Sequence, residues 1–160
     1  MSAVRRPEEL LAHFTARRDA IVADLGELVR HESPSSEAGA VNALSAFVVA
    51  RLAAAGIPGE RVPLDGRGDA VRVRLGPAEG GTLLLGHLDT VWPLGTLASN
   101  PFQAAGSVAT GPGVFDMKGG VAVMLAALTA AGEGVFAPAR GVTLLLTTDE
   151  EVGSPASRGL

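Results

Sequence analysis

Two short leucine runs, each followed at once by polar side chains, constrain the fold most strongly. The leucines at 83–85 lead into His87 and Asp89, and those at 144–146 lead into the acidic segment 149–151. Three consecutive leucines are typical of a strand that is covered on both faces of a sheet. In α/β proteins, sites form at the carboxyl ends of such strands. We therefore expect two buried strands that end in functional residues.

The remaining pattern predicts the elements around these strands. Apolar residues at helical intervals predict one helix over 7–30 and a second that starts with Ser36 as its N-cap and stops at Gly56. Alternating valines and arginines at 71–75 indicate a strand near a sheet edge, after which we expect a turn at 76–81. The segment 92–110 has room for a short hairpin, and an apolar helix over about 118–131 should pack on the sheet. Residues 155–160 resemble the start of a further helix.

This order of elements predicts an α/β fold with a layered mixed or largely parallel sheet flanked by helices. The 160 residues suffice for one domain with a core. A mean hydropathy of +0.30 fits a deeply buried sheet, or a fragment whose apolar surface is covered by further chain.

Composition narrows the functional classes. A net charge of -4 and a pI of about 5.3 argue against a nucleic-acid partner. No run reaches the roughly 18 apolar residues of a membrane helix, so we expect no membrane partner. The chain has no cysteine, which excludes disulfides, thiolate metal sites and a cysteine nucleophile. The N-terminal residues lack the apolar core of a signal peptide, and we expect a cytoplasmic protein.

The polar residues suggest metal chemistry. His87 and Asp89 are two positions apart, so on a strand they leave the same face, and the carboxylate can orient the imidazole as in metal-binding histidines. Carboxylates and imidazole without sulfur suit zinc, manganese or cobalt in a hydrolytic site. Asp116 is a candidate bridge between two ions about 3.5–4 Å apart. Of Glu150 and Glu151, one can bind metal while the other transfers protons.

Each of these residues also has a structural interpretation. His87 can be a buried histidine with satisfied hydrogen bonds, Asp116 can be a helix N-cap, and the adjacent glutamates can form a solvated acidic loop. Asp149 is interpreted as a hydrogen-bond acceptor in its loop. For Trp92, packing in the core or at a rim is favoured over a place in a substrate groove. Lys118 is interpreted as a salt-bridge partner at the helix start, with no catalytic role.

Other catalytic motifs fail on spacing. The glycines at 111 and 113 are followed by Asp116 where a dinucleotide-binding loop needs its third glycine. Lys118 precedes Gly119 where a phosphate-binding loop needs serine or threonine. The chain has no Gly-x-Ser-x-Gly elbow, which argues against a serine hydrolase.

Three blocks, in this order, resemble the signature blocks of one family. They are Gly-His-Leu-Asp-Thr-Val at 86–91, Gly-Pro-Gly-Val-Phe-Asp-Met-Lys-Gly-Gly at 111–120 and Thr-Asp-Glu-Glu-Val-Gly-Ser at 148–154. The family is that of the dinuclear zinc peptidases and deacylases, which includes glutamate carboxypeptidases, aminoacylases, acetylornithine deacetylase and succinyl-diaminopimelate desuccinylase. The Gly-Pro-Gly and Asp-Glu-Glu segments are most similar to the glutamate carboxypeptidase branch.

The resemblance implies a role for each polar residue. His87 binds one of two zinc ions, Asp116 bridges both, and Glu151 binds the other. Glu150 is the general base for a water that the two ions activate, and Asp89 orients His87. Cobalt and manganese are the expected substitutes for zinc. The resemblance also implies a cis peptide bond after Asp116.

The resemblance implies a domain organisation and an activity as well. Residues 1–160 correspond to the N-terminal portion of a zinc-exopeptidase-like catalytic domain. The smaller dimerisation or lid domain, the C-terminal catalytic segment and the remaining acidic and histidine ligands are expected outside them. The implied activity is hydrolysis of an amide or peptide bond in a small peptide or N-acyl amino acid, of carboxypeptidase or deacylase type. The alternative is a truncated, non-catalytic homologue that keeps the fold and partial metal binding or acts only by association. We also expect a homodimer or self-association.

Overall fold

The computed structural model describes residues 6–77 and 81–160, within which the main elements are α-helices and strands. The helices are α1 (Pro7–Ala16), α2 (Arg18–Arg30), α3 (Ala38–Ala53) and α4 (Gly119–Gly132). The strands are β1 (Gly59–Val62), β2 (Ala70–Leu75), β3 (Gly81–His87), β4 (Gln103–Ala105), β5 (Val108–Thr110) and β6 (Gly141–Thr147). The expected turn at 76–81 and the expected lack of a signal peptide involve residues 78–80 and 1–5, which lie outside the described residues.

The main sheet is mixed. Its strand order is β1-β2-β6-β3, with β1 and β6 both antiparallel to β2, and with β3 parallel to β6. The strands β4 and β5 form the short hairpin that the sequence predicted between 92 and 110. Helices α3 and α4 contact the sheet, and α2 packs against α4. The predicted α/β class with a layered mixed sheet and flanking helices is confirmed.

The two faces of the sheet differ. On the helix side, Val73, Leu144 and Leu84 lie next to one another in register across β2, β6 and β3 and belong to the core or pack against it. On the other side, Leu83 and Leu85 are 57% and 56% exposed. The expectation that the leucines at 83–85 are covered on both faces is therefore wrong. Strand β3 is an edge strand, and helices among the described residues cover only one of its faces.

The helix boundaries also differ from the sequence prediction. The helix expected over 7–30 is interrupted at Arg17, which leaves the helical conformation (φ -100°, ψ 5°) and pairs with Glu133 beyond α4 at 2.6 Å. The N-cap position of α3 is Glu37, and Ser36 does not cap this helix. Just before this helix, Pro34 forms a β-bridge with Thr90, which follows β3, and the Ser35 amide donates to the Thr90 carbonyl oxygen. The helix therefore begins one residue later than expected.

Helix α4 and the turn before it form the most apolar stretch. By length and composition alone, Val114–Gly132 could cross a membrane, with a mean hydropathy of 1.5, so the expectation that no stretch approaches this length is wrong. Its side chains nevertheless build the core, since Val121, Leu125 and Leu128 are at most 3% exposed. A core helix accounts for this composition.

Candidate metal centre

The candidate ligands come together because β3 and β6 run parallel. His87 is the last residue of β3 and pairs with Thr147, the last residue of β6. Both strands therefore deliver their polar residues to the same edge of the sheet. Glu150 and Glu151 begin one turn of 3-10 helix directly beyond β6. Asp116 reaches the same place from the irregular turn that precedes α4.

Three of the predicted site residues form one cluster. One ligand atom from each of His87, Asp116 and Glu151 lies within 4.8 Å of the other two. The imidazole is 5% exposed, whereas the Asp116 side chain is 65% exposed, so the cluster opens to solvent on the carboxylate side. One nitrogen and two carboxylate oxygens at such separations are a donor set that fits zinc or a similar divalent ion. The residues present thus fit the metal that the sequence predicted.

The imidazole of His87 is fixed at both nitrogens. Its Nδ1 lies 3.0 Å from the carbonyl oxygen of Asp89, which can only accept, so Nδ1 carries a proton and Nε2 is the atom available to a metal. Nε2 lies 3.0 Å from Oδ1 of Asp116. Burial lowers the pKa of His87, but hydrogen bonds to Asp89 and Asp116 outweigh burial and raise that pKa to about 9. A metal ion would take the place of the Nε2 proton.

Asp89 connects the separate segments of the cluster. Its carboxylate is fully buried and lies 3.4 Å from Nδ1 of His87. It also accepts hydrogen bonds from the backbone amides of Glu150 and Glu151, each at 3.2 Å, and from the hydroxyl of Ser35. Burial raises the pKa of Asp89, but the bonds from His87, Ser35 and the Glu151 amide hold it below its ordinary value. This position agrees with the orienting role predicted for Asp89, and the role itself stays a prediction.

The two adjacent glutamates differ in their surroundings. The pKa of Glu151 is raised, first by burial and then by the negative charge of Asp116. Binding of a cation between these carboxylates would relieve that repulsion. The Glu150 side chain is 55% exposed, and its Oε2 lies 3.9 Å from Nε2 of His87. Glu150 therefore lies next to the three clustered residues and is not one of them. This is the position expected of a group that transfers protons.

Comparison with known proteins gives the family. Residues 83–160 match Peptidase family M20/M25/M40. Carboxypeptidase G2 from Pseudomonas sp. (strain RS-16) is 35% identical over 161 residues, which make up 99% of this chain and 39% of that protein. Residues 83–160 belong to the peptidase family M20/M25/M40. The resemblance carried by the three signature blocks is confirmed.

Solved structures show the same fold. Human carnosine dipeptidase 1 has a TM-score of 0.78 and 21% identity, over 92% of this chain and 36% of that one. An M20 family metallo-carboxypeptidase from Sulfolobus solfataricus has a TM-score of 0.70 and 18% identity, over 85% of this chain and 32% of that one. At these identities the likeness is one of fold. The chain spans 39% of the length of carboxypeptidase G2.

The glycines of the M20 signature blocks make room for Met117. A Cβ added at Gly86 or at Gly120 would lie 3.1 Å from the methyl carbon of Met117. The sulfur of the same methionine accepts a hydrogen bond from the His87 amide at 3.4 Å. The peptide bond between Asp116 and Met117 is cis, as the resemblance implied. The first two signature blocks therefore pack directly on each other.

Several structural interpretations of the polar residues need correction. Asp116 is not the N-cap of α4, because Lys118 occupies that position and Asp116 lies two residues before it, within the irregular turn. Lys118 forms no salt bridge at the helix start within the described ranges. It is 1% exposed and donates to the carbonyl oxygen of His31 at 2.7 Å. Burial lowers the pKa of Lys118 to about 8.

Other interpretations agree with the structure. Asp149 is a loop acceptor, since its Oδ2 accepts the amides of Ala156 and Ser157 at 2.7 and 3.2 Å. Residues 157–159 form one turn of 3-10 helix, in agreement with the helix start expected near the end of the chain. Trp92 is 42% exposed, so it does not pack in the core, and packing at a rim stays a prediction.

Two residues near the centre escaped the sequence analysis. Ser35 donates to Asp89, and Glu32 accepts the amides of Gly95 and Leu97 at 2.8 and 2.9 Å. Glu32 thereby anchors the loop that follows the first signature block. The segment that contains both residues gave only the signal of a helix break. A helix break predicts where the helix ends, but it does not predict which distant residues the side chains after the break contact.

Proposed function

We propose that this chain supplies the N-terminal part of an M20 metallopeptidase catalytic domain. The proposed reaction is hydrolysis of an amide or peptide bond in a small peptide or an N-acyl amino acid, of carboxypeptidase or deacylase type. The observation that carries the proposal is the convergence of His87, Asp116 and Glu151 within 4.8 Å at the carboxyl ends of two parallel strands. Family membership and the family's metal dependence support it.

The metal in the proposal is zinc, as two ions, with cobalt or manganese as substitutes. His87 and Glu151 would each hold one ion, and the exposed carboxylate of Asp116 would be shared. Divalent ions bound there would act as Lewis acids that polarise a carbonyl group and make water acidic. The raised pKa of Glu151, caused first by burial and then by Asp116, is what carboxylates without a cation between them should show.

The chain's own residues handle the proton. Water adds to the amide carbon, its proton passes to the Glu150 carboxylate, and Glu150 then donates it to the leaving nitrogen as the carbon–nitrogen bond breaks. Glu150 suits this role because its side chain is 55% exposed and lies 3.9 Å from His87 without being a member of the cluster. Asp89 keeps Nδ1 of His87 protonated and so presents Nε2 to the metal.

A second candidate function is metal binding without turnover. It is favoured by the uncovered sheet face, where Leu83 and Leu85 are more than half exposed next to the site. In this case the chain would keep the fold, bind metal partially and act by association. We propose self-association or a homodimer in either case, and a cytoplasmic location.

Zinc titration and amide hydrolysis distinguish these functions. Zinc binding to the metal-free protein is measured by calorimetry, and hydrolysis is measured on a panel of dipeptides and N-acyl amino acids. Glu150→Ala should abolish hydrolysis and leave zinc affinity within about twofold, whereas His87→Ala should abolish both. Zinc binding without hydrolysis in the unaltered chain supports the second function. Equal loss of zinc binding in the two variants contradicts the role of Glu150, and absence of zinc binding contradicts both functions.

A further inference from the structure

A serine far away in sequence from the candidate ligands donates to the carboxylate that connects them. The hydroxyl of Ser35 lies 2.7 Å from Oδ2 of Asp89, across a sequence separation of 54 residues. Ser35 is 6% exposed and Asp89 is fully buried, so water does not compete for this bond. A hydrogen bond to a buried carboxylate is one of the stronger kinds that a neutral donor can make.

The backbone fixes this serine in place. Pro34 forms a parallel β-bridge with Thr90, directly beyond the end of β3. The Thr90 amide donates to the Ser33 carbonyl at 2.8 Å, and the Ser35 amide donates to the Thr90 carbonyl at 3.3 Å. Residues 33–35 therefore run alongside 88–90 as a short extension of the sheet. The pairing holds the Ser35 hydroxyl against the Asp89 carboxylate.

The hydrogen bond from Ser35 matters because its acceptor, Oδ2 of Asp89, also accepts a second hydrogen bond. The same oxygen accepts the amide of Glu151 at 3.2 Å, while Oδ1 accepts the amide of Glu150 at 3.2 Å and faces Nδ1 of His87 at 3.4 Å. The orientation of this carboxylate thus determines the position of the end of β3 relative to the turn after β6. Without Ser35, only the longer amide bond would restrain Oδ2.

We propose that Ser35 is a positioning residue of the metal centre. Its hydroxyl fixes the Asp89 carboxylate, and through it the relative placement of His87 and Glu151, the two ligands that come from different strands. This inference rests on the proposed function, because it concerns a centre that binds metal. Within the described part of the chain, the Ser35 side chain makes its hydrogen bond to Asp89, so we infer that it acts through Asp89.

Ser33 provides a matched control. Its hydroxyl is also buried, with the residue 0% exposed, and it also makes one bond of 2.7 Å. Its acceptor is the carbonyl oxygen of Leu88 and not a carboxylate. Loss of either hydroxyl removes one buried hydrogen bond from the same short segment. Only the loss at Ser35 should alter the Asp89 carboxylate.

The first experiment compares Ser35→Ala with Ser33→Ala in the full chain. Zinc affinity is measured by chelator competition, and thermal unfolding is measured on the metal-free proteins. We expect both variants to unfold at similarly reduced temperatures. Ser35→Ala should bind zinc about tenfold more weakly, at the low end of what outer partners of metal ligands contribute, and Ser33→Ala less than about threefold more weakly. Equal zinc affinities in the two variants would overturn the proposal.

A double-mutant cycle supplies the second measurement. In an Asp89→Ala background, Ser35→Ala should leave zinc affinity unchanged, because the group it acts through is gone. A tenfold loss in that background would show that Ser35 acts by another route and would overturn the inference. If Ser35→Ala does not fold, Ser35→Cys replaces it, since a thiol is a weaker donor and should shift zinc affinity in the same direction.

These outcomes separate this inference from the proposed function. If the unaltered chain binds no zinc, the proposed function and this inference both fail. If it binds zinc and Ser35→Ala matches Ser33→Ala, the proposed function stands and only the role of Ser35 fails.

Discussion

At the residue scale, the space around Met117 decides which residues the signature blocks can contain. Its side chain lies between Gly86 of β3 and Gly120 of α4, and a Cβ at either glycine would stand 3.1 Å from its methyl carbon. At Gly86 a second neighbour, Leu146, is also close, at 3.2 Å. A side chain at either position would therefore require Met117 to shift by a few tenths of an ångström, close to the candidate ligands His87 and Asp116.

Gly86→Ala should destabilise the protein by about 1–3 kcal/mol, because the added methyl group must displace Met117 or Leu146 in a packed region. The matched control is Gly39→Ala in α3, where nothing lies within 4 Å of an added Cβ. That change should stabilise the protein by up to about 1 kcal/mol. Urea unfolding measures both, and a Gly86→Ala variant as stable as Gly39→Ala would contradict this packing.

Glu32 provides a pH-dependent contribution to stability. Hydrogen bonds from the Gly95 and Leu97 amides lower the pKa of Glu32 below its ordinary value of 4.5. A lowered folded-state pKa stabilises the fold above the unfolded-state pKa, and this contribution is lost as the pH falls. Glu32→Gln should therefore be less stable than the unaltered protein at pH 7. The difference should shrink steadily below pH 4.5, and a difference that grows on acidification would contradict the assignment.

The sequence singled out the three residues that the structure brings together as candidate ligands, but not what holds them in place. His87, Asp116 and Glu151 each follow or precede a recognisable element, so their types and positions indicate a ligand role. Ser35 lies in a segment whose only local property is that it breaks a helix. Its hydrogen-bond partner, Asp89, is 54 residues away, and no local sequence pattern predicts such a contact.

At the element scale, β3 and β6 carry similar leucine runs but occupy different environments. Leu144 of β6 is fully buried on the helix side. On the opposite face, Leu145 of β6 is half-buried, whereas its partner in register, Leu85 of β3, is 56% exposed. A leucine run predicts that a strand can be covered on both faces, but whether it is covered depends on which elements pack there. This is why the strand was predicted correctly and its second face was not.

Leu144→Ala should cost about 2–5 kcal/mol of unfolding free energy, because it opens a cavity among packed side chains. Leu85→Ala should cost less than about 1 kcal/mol, since much of that side chain already contacts water. Chemical denaturation of the two variants checks the difference. A large cost for Leu85→Ala would mean that another layer covers this face in solution.

At the scale of the whole molecule, that open face is the surface most suited to association. Leu83 and Leu85 project from β3, whose outer backbone side pairs with no other strand among residues 6–77 and 81–160. Exposed apolar edge strands are common sites of intermolecular pairing, and lysine on such an edge suppresses it. The surface lies next to His87, so association there would also cover one side of the candidate centre.

Sedimentation velocity over a range of concentrations should show self-association of the unaltered chain. A variant with Leu83→Lys and Leu85→Lys should remain monomeric over the same range. Val123→Lys is the control, because Val123 is 66% exposed on α4, away from the sheet face. Association that persists in the double variant and disappears in the control would place the interface on the helices instead.

The hydrogen bonds at Asp89 have a consequence for how the protein folds. This one carboxylate binds a serine 54 positions earlier in the chain and the amides of two adjacent residues 61 and 62 positions later. Closing such long loops is slow and is repaid only when distant segments have docked, so the ligand cluster should be completed late in folding. A metal ion that recognises the completed cluster would then draw the folding equilibrium toward the native state in proportion to its free concentration. The folded fraction of the protein would then rise with the free metal concentration.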